Sequence, residues 1–550
     1  FEQTEYHRDW YRANPYYSYW YDWNTRNPYY YSTTRYQGRL RIRTCPPEKG
    51  QWDVQDNTRR FSAYVQDSLV AGRLAINLGL RFDYSYQYEP EQKRPQLRYK
   101  YGPFELNPAI TDPNALLEAL RAQWYADPSL KDAGPFPFDE LTTPWKKVVE
   151  FKTFSPRIGF VYDLFGDGKT AFKISFSRYY EPVWSAKYNA AQIFGASTIN
   201  YYWYDDNRNK LMDLPPTDRY VLTSYPIQDP NYNYYVKDLK CPYMNEFVTA
   251  LEREVYKDFK LGLQFLWRVN KNIVDDIDLN NGYDANAKDD KGLIWLPFTF
   301  TDPGWDGKWG TADDQQMTVY GLRKDRPIPT WKGTNPPEAK REYWAVILTF
   351  DKRMSNRWQL NGSVLYSSFK GNAGADYSST EGETSMFDNP NSLINAYGST
   401  EFDRPLQIRI MGTYILPYDF ILSAYFQYRS GSPWNRTIAR VYFPADFAAQ
   451  VQQTYVSVNA ETPGSRRNPP YTMLDLRVEK SFKLRDFGRL GIYVDIFNVA
   501  GRSGISVNQN PNPYLRFDRT PPGYEISTVY GLVTSCYGVR SFRLGMRFSF

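Results

Sequence analysis

The residues best suited to chemistry are carboxylates and amides in two short acidic segments. In the first, Asp205, Asn207, Asn209 and Asp213 fall at the first, third, fifth and ninth positions of a calcium loop; Lys210 stands in place of the turn glycine and Pro216 in place of the bidentate Glu. In the second, Asp302, Asp306, Asp313 and Asp314 surround turn glycines. Structural Ca²⁺ that stiffens the two segments is the expectation, with solvated turns as the alternative. Catalysis built on histidine pairs is excluded, because the chain has one His and three Cys (Cys45, Cys241 and Cys536), and a zinc site of the Cys₂His₂ kind falls with it. Gly166-Asp-Gly-Lys-Thr170 carries the ending of a phosphate-binding loop. Asp163 occupies the first glycine position, though, and the flanks read strand to strand, so a hairpin turn is expected. No GxSxG, HExxH or CxxC pattern occurs, so the expectation is a protein that is not an enzyme.

Two further constellations suit binding. Aromatic residues make up 18% of the chain, 49 of them Tyr, and the densest run includes Trp10, Tyr11, Tyr19, Trp20, Tyr21 and Trp23. Such rings present rigid amphipathic surface for stacking on a ligand; packing between loops or an interfacial girdle is the alternative. The second constellation is charged: Arg81, Asp83, Arg157, Arg178, Asp475, Arg477, Glu479, Asp495, Arg543 and Arg547, each placed by alternation on the polar face of a strand. They are expected to hold an inner domain by ion pairs, conduct a polar solute, or simply form a solvated wall. The net charge of +6 is interleaved along the chain, which gives no basic face for a nucleic acid.

These residues must be positioned by strands. No apolar run reaches the roughly 18 residues of a membrane helix, so a membrane can be crossed only by a closed sheet. Leu74, Ile76, Leu78, Leu80, Phe82, Tyr84 and Tyr86 point one way, while Ala75, Asn77, Gly79, Arg81, Asp83 and Ser85 point the other. The same alternation marks 61–70, 158–164, 171–180, 246–255, 261–269, 344–350, 360–369, 406–414, 420–428, 472–482, 490–498 and 542–550, about thirteen strands in all. Short links alternate with long Tyr-, Asn-, Asp- and Pro-rich stretches at 87–153, 182–243, 272–342, 370–404, 430–470 and 500–539. An outer-membrane barrel with short periplasmic turns and long outer loops has this pattern. The fold class is therefore all-β, a transmembrane antiparallel barrel of the 22-stranded type with about its last thirteen strands present. The chain opens without Met, so about nine further strands are expected upstream, the last of them ending near Phe1. All three cysteines map to outer loops, and their pairing stays open.

Particular phrases then resemble the TonB-dependent outer-membrane transporters, and within them the Oar-like branch that carries a carboxypeptidase-regulatory-like domain. They are Tyr64-Val-Gln-Asp67 leading to Asn77-Leu-Gly-Leu-Arg-Phe-Asp83; Phe154-Ser-Pro-Arg-Ile-Gly-Phe160 leading to Gly166; Lys352-Arg-Met-Ser with Trp358-Gln-Leu; Asp403-Arg-Pro405; Arg429-Ser-Gly-Ser-Pro433; Gly464-Ser-Arg-Arg467; and Asp495-Ile-Phe-Asn498. The resemblance implies that residues 1–550 are the C-terminal part of one barrel, with a plug and a TonB box upstream that couple it to TonB-ExbB-ExbD. It also implies residence in the bacterial outer membrane and active transport of an extracellular ligand, whether peptide, glycan or metal chelate. The closing face Phe542, Leu544, Met546, Phe548 and Phe550 looks like the signal read by the barrel-assembly machinery. A surface-structural or adhesive barrel is the second reading, and a soluble carbohydrate-binding β-protein the third.

Overall fold

The computed structural model describes residues 2–10, 37–43, 52–98, 106–112, 114–183, 188, 193, 198–373, 386–484, 487–499, 504–507 and 509–550; of residues 2–10, 37–39, 41, 43, 52–54, 504–507 and 535–537 it describes the backbone only. One large sheet dominates. Fourteen of its strands follow one another in chain order without a crossover. They are β1 (Glu2–Trp10), β2 (Trp52–Ala71), β3 (Leu74–Glu89), β4 (Lys146–Asp163), β5 (Thr170–Tyr180), β6 (Tyr243–Tyr256), β7 (Phe259–Lys271), β8 (Arg341–Ser355), β9 (Trp358–Gly371), β10 (Leu406–Ile415), β11 (Phe420–Arg429), β12 (Tyr471–Lys483), β13 (Arg489–Phe497) and β14 (Ser541–Ser549). Every neighbouring pair is antiparallel, and a short strand, Gly398–Ser399, adds to β9 off this path.

Alternation dictates the two faces. Leu78 and Leu80 of β3, Phe154 and Ile158 of β4, Leu263 and Trp267 of β7, Leu422 of β11 and Val494 of β13 are all exposed on one face, Leu263 by 52%. A soluble sandwich would bury that face against a second sheet; here it is left bare, as a wall facing hydrocarbon requires. All thirteen strands read from the sequence are present, and β1 joins them as a fourteenth, paired from Glu2↔Arg60 to Trp10↔Trp52. Trp10, expected in a loop, thus lies in a strand, because Glu2–Trp10 alternates polar with polar and carries no apolar face to betray it.

The short connections are tight because their residues allow it. Asn356 and Arg357 both adopt positive φ (52° and 71°), the requirement of a two-residue hairpin that follows the strand twist. In the Gly166–Thr170 segment, the Asp163 carboxylate accepts the Gly166 amide at 3.0 Å and the Gly168 amide at 2.9 Å. The amides that would cradle a phosphate are thus occupied by the chain's own carboxylate, and the segment is a hairpin turn.

The other end of the sheet is more ordered than a set of loops. β4 begins at Lys146, inside the stretch expected to be a loop, because the apolar face reverses there. Phe154 and Ile158 are exposed on one side, whereas Val149 and Phe151 are buried beside Tyr188, Tyr235 and Val274. Beyond it, the segments between strands build two lobes. The first combines helix α1 (Ala115–Ala126) with a three-stranded sheet of Gln37–Arg43, Thr198–Tyr204 and Arg219–Ser224, closed over Leu120, Phe136, Phe138, Trp203 and Met212. The second packs the hairpin Trp295–Asp302/Gln315–Leu322 against Thr437–Tyr442, Tyr455–Asn459, Tyr514–Arg516 and Gly523–Glu525, around Val319, Ile438, Val441, Phe443 and Leu515.

Candidate functional site

The polar face of the sheet carries nine of the ten charged side chains expected there. In an antiparallel sheet, directly opposed residues share a face and interact. Arg477 of β12 lies opposite Asp495 of β13, and Asp495 opposite Arg543 of β14. Their hydrogen bonds follow that register: Arg477 Nε to Asp495 Oδ1 at 2.6 Å, and Arg543 Nε to Asp495 Oδ2 at 2.7 Å. Arg547 reaches Glu479 at 2.8 Å across β13, passing over Gly491, where a Cβ would stand 2.5 Å from the Glu479 carboxylate. Arg81 donates to Asp83 at 2.8 Å, Ser62 adds 2.6 Å, and the Arg157 guanidinium lies 4.9 Å over Tyr179. Asp475 accepts the Asn498 amide at 2.7 Å. Lys173, Glu252 and Lys260, together with Arg268 and Glu246, extend the same pattern of pairing, and sequence reading did not single them out.

Arg178 departs from expectation. It lies opposite Asn245 in the row of Phe172 and Phe176, which is the apolar face, and not beside Arg157. Its Nε donates to Asn245 at 2.9 Å and its guanidinium covers Tyr243 at 4.3 Å. At the rim, a long cation can share a face with phenylalanines by turning its head toward polar partners. A count by polarity alone therefore assigns it to the wrong side.

Where the polar face meets the outer segments, a cavity of about 490 Å³ opens between Tyr179, Arg268, Asn270, Arg341, Tyr343 and Phe369. A second, of about 410 Å³, shares Asn270, Lys271 and Arg341 and continues toward Lys240, Asn335 and Tyr397. Together they form a pocketed mouth contributed by strands and by three different outer segments.

The acidic segments behave differently from one another. Asp205 and Asp213 are buried, and Asp213 accepts amide donors from Asn107, Asn207 and Asn209, each at 2.7 Å, which holds its carboxyl below the usual carboxylate range against the opposing effect of burial. Asp205 accepts the amides of Asn209 and Lys210. The loop is thus folded on its own N–H groups: Asn207 and Asn209 turn their amide nitrogens to Asp213, while their oxygens accept the backbone amides of Asn209 and Leu211. In the second segment, Asp306, Asp313 and Asp314 gather around the Thr311 hydroxyl. Asp302 does not join them: it is buried, and both its oxygens are held by Arg436. Among the described residues, no three His, Cys, Asp or Glu side chains are grouped to hold a metal.

Tyr11, Tyr19, Trp20, Tyr21, Trp23 and Cys45 lie outside the described residues, as do the side chains of Trp10 and Cys536. Cys241 is buried, and its thiol donates to the Glu181 carbonyl at 3.4 Å. Phe548 and Phe550 lie 6.0 Å apart on the apolar face of the last strand.

Comparison with known proteins places this geometry in context. Residues 46–433 match the family model described as outer membrane beta barrel domain. The chain is 21% identical over 384 residues to the TonB-dependent transporter Oar of Myxococcus xanthus, covering 64% of this chain and 32% of that protein. It therefore spans about a third of the length of the curated relative it matches. Among solved structures it is similar to the ferric-catecholate import receptor Fiu of E. coli K12 in its closed form (TM-score 0.43, 10% identity, 93% of this chain and 50% of that one). It is also similar to the outer membrane transporter YddB of Escherichia coli (TM-score 0.40, 12% identity, 93% and 59%).

Proposed function

Since the chain belongs to the outer membrane beta-barrel family and resides in the bacterial outer membrane, we propose that residues 1–550 are the wall and extracellular lid of a plugged, TonB-dependent transporter. In this reading the pocketed mouth captures a scarce extracellular molecule. A plug pulled by TonB then opens a path along the polar wall. The outer membrane holds no energy source of its own, so the work comes from TonB-ExbB-ExbD acting through the plug. The chain does no covalent chemistry; it binds, orients and encloses. The carrying observation is the row Arg477–Asp495–Arg543, charges paired across three strands on the face opposite the bare apolar one. Such a row keeps a polar interior rigid while presenting partners to an inner domain. Ca²⁺ held by Asp205, Asn207, Asn209 and Asp213, and more weakly by Asp306, Asp313 and Asp314, is the proposed stiffener of the lid.

Two measurements test this reading. The intact mass and N-terminal sequence of the protein isolated from outer membranes should show a plug and TonB box ahead of these strands. Uptake of an identified ligand by cells should cease when a protonophore collapses the proton-motive force. Uptake that persists without the force overturns energised transport.

One observation favours the second reading, a surface-structural or adhesive barrel. The outer segments possess their own hydrophobic cores, around Trp203 in one lobe and Val319 in the other. A mere lid needs less. Loss of cell-to-surface attachment on deleting a lobe, with uptake intact, supports that reading.

A further inference from the structure

The second lobe carries an arginine whose surroundings its own core does not explain. Thr437–Tyr442 pairs antiparallel with Tyr455–Asn459 and parallel with Tyr514–Arg516. One face of this sheet is apolar and buried, with Ile438, Val441, Val456, Val458 and Leu515. The other face, half-buried, presents Arg440, Tyr442, Tyr455, Tyr514 and Arg516. The Arg440 guanidinium lies 4.7 Å from the Tyr455 ring, 4.9 Å from Tyr514 and 6.0 Å from Tyr442. The Arg516 guanidinium covers Tyr442 at 3.9 Å, and the Tyr442 and Tyr455 rings are 5.2 Å apart.

The charges are unevenly matched. Arg516 pairs with Asp518 at 2.9 Å. Arg440 donates to the Tyr442 hydroxyl at 2.7 Å, and the groups acting on its charge are three phenols; among the described residues no carboxylate forms an ion pair with it. A guanidinium has five N–H donors, no acceptor, and stays charged in proteins. One of those donors is taken by the Tyr442 hydroxyl and the rings packed around the guanidinium restrain it, while its further N–H donors suit recognition of an oxyanion. The neighbouring hydroxyls of Tyr455 and Tyr514 are further donors. The platform is a half-buried sheet face whose residues line neither mouth cavity, which suits an extended chain better than an enclosed small molecule. Arg440 and Arg516 flank Tyr442 closely enough to meet charges on successive units of that chain.

We propose that this face is a binding site for an acidic glycan, with a carboxylate or sulfate seated on the edge of Arg440 and sugar rings lying along the tyrosines. The site is separate from the transport path and does not depend on whether transport is energised. It gives the lobe a recognition task that a lid alone would not require.

The test is binding of polygalacturonate, dextran sulfate and neutral dextran to the protein purified from outer membranes in detergent. The acidic polymers should bind and neutral dextran should not, with affinity falling as salt rises. Arg440→Gln should weaken polymer binding at least tenfold and Arg440→Lys less, while Arg519→Gln, on the same lobe but paired with Glu525, should leave it unchanged. Heat-modifiable mobility on gels and circular dichroism verify that each variant is folded. Equal binding of neutral dextran, full binding by folded Arg440→Gln, or displacement by inorganic phosphate at the same charge concentration as the polymer overturns the assignment.

Discussion

Arg436 and Asp302, 134 residues apart, form a buried two-point ion pair with contacts of 2.5 and 2.7 Å, joining two outer segments that enter the second lobe from different strands of the sheet. Gln315 adds a hydrogen bond to Asp302 at 2.9 Å. Beside the pair, Arg466 lies 3.8 Å over Trp305 and is held by Glu461, whose carboxyl is pushed down to about 2 by the Arg466 guanidinium and the Arg436 amide in spite of burial. The lobe is thus closed by charge as well as by its apolar core.

Removing one partner leaves the other charged and buried, which costs about 3–5 kcal/mol, whereas replacing both with apolar groups is close to neutral. Arg436→Met alone should therefore expose the 295–322 hairpin to hydrogen exchange and protease, and Arg436→Met with Asp302→Leu should restore protection. The strands β1–β14 should keep their heat-modifiable mobility in both variants. A single variant as protected as the parent would show that the pair does not hold the lobe.

How far this arrangement was legible in the sequence depended on the solvent each residue meets. Leu74–Tyr86 could be read because its two faces meet two different solvents, so period-two alternation is a direct record of the wall. β4 above Phe154 could not, because Val149 and Phe151 turn to the opposite face where loops replace lipid as the covering. Arg178 was assigned to the polar face because charge was taken to fix sidedness, while the register puts it in the row of Phe172 and Phe176. Asp302 groups with its neighbours in sequence, whereas its partner Arg436 lies 134 residues along the chain, just ahead of Thr437–Tyr442. The lobes were illegible for the same reason: Leu40, Leu120, Phe136 and Trp203 meet only after three segments fold together.

Gly491 is the gap through which Glu479 reaches Arg547. Gly491→Val should push the carboxylate aside and loosen β12, β13 and β14 by about 1–3 kcal/mol, the usual cost of overpacking. The readout is a lower temperature for conversion of the compact gel band to the unfolded one. An unchanged conversion temperature would mean that this ion pair adds nothing to the wall.

Assembly gives a separate test at the end of the last strand. Phe550→Ala, or removal of Phe550, should lower the fraction of chains recovered as folded barrel from outer membranes several-fold without altering the stability of those that fold. Equal recovery would remove the assembly role from this residue.

Calcium should act on one acidic segment more than on the other. Calorimetry of the chelator-treated protein should show uptake with a dissociation constant of about 10⁻⁴ to 10⁻³ M, the range of extracellular modules. Asp213→Asn should abolish the tighter component, because this carboxylate is the anion on which the N–H donors of Asn107, Asn207 and Asn209 meet. Asp302→Asn should leave the tighter component unaltered, since that side chain belongs to Arg436 in the other lobe. No uptake at millimolar Ca²⁺ would leave both segments as self-sufficient turns.

Asp276 sets a pH dependence on the outer face. Burial pushes its carboxyl up to about 7, Asp388 and Asp275 add to the rise, and the Tyr234 hydroxyl at 2.9 Å opposes it. In the unfolded chain the same group ionises near pH 4. Between about pH 4 and pH 7 the folded segment therefore keeps a proton that the unfolded chain has released, and stability declines as pH rises through this window. Above pH 7 both states are ionised and the dependence from this group levels off. Asp276→Asn should flatten the slope, read as protease resistance of the 272–340 segment at pH 5 against pH 8, with the variant equal to the parent at pH 5 and more resistant at pH 8. If the parent is equally resistant at both pH values, Asp276 stays ionised in the folded protein and its burial is offset by partners stronger than Tyr234.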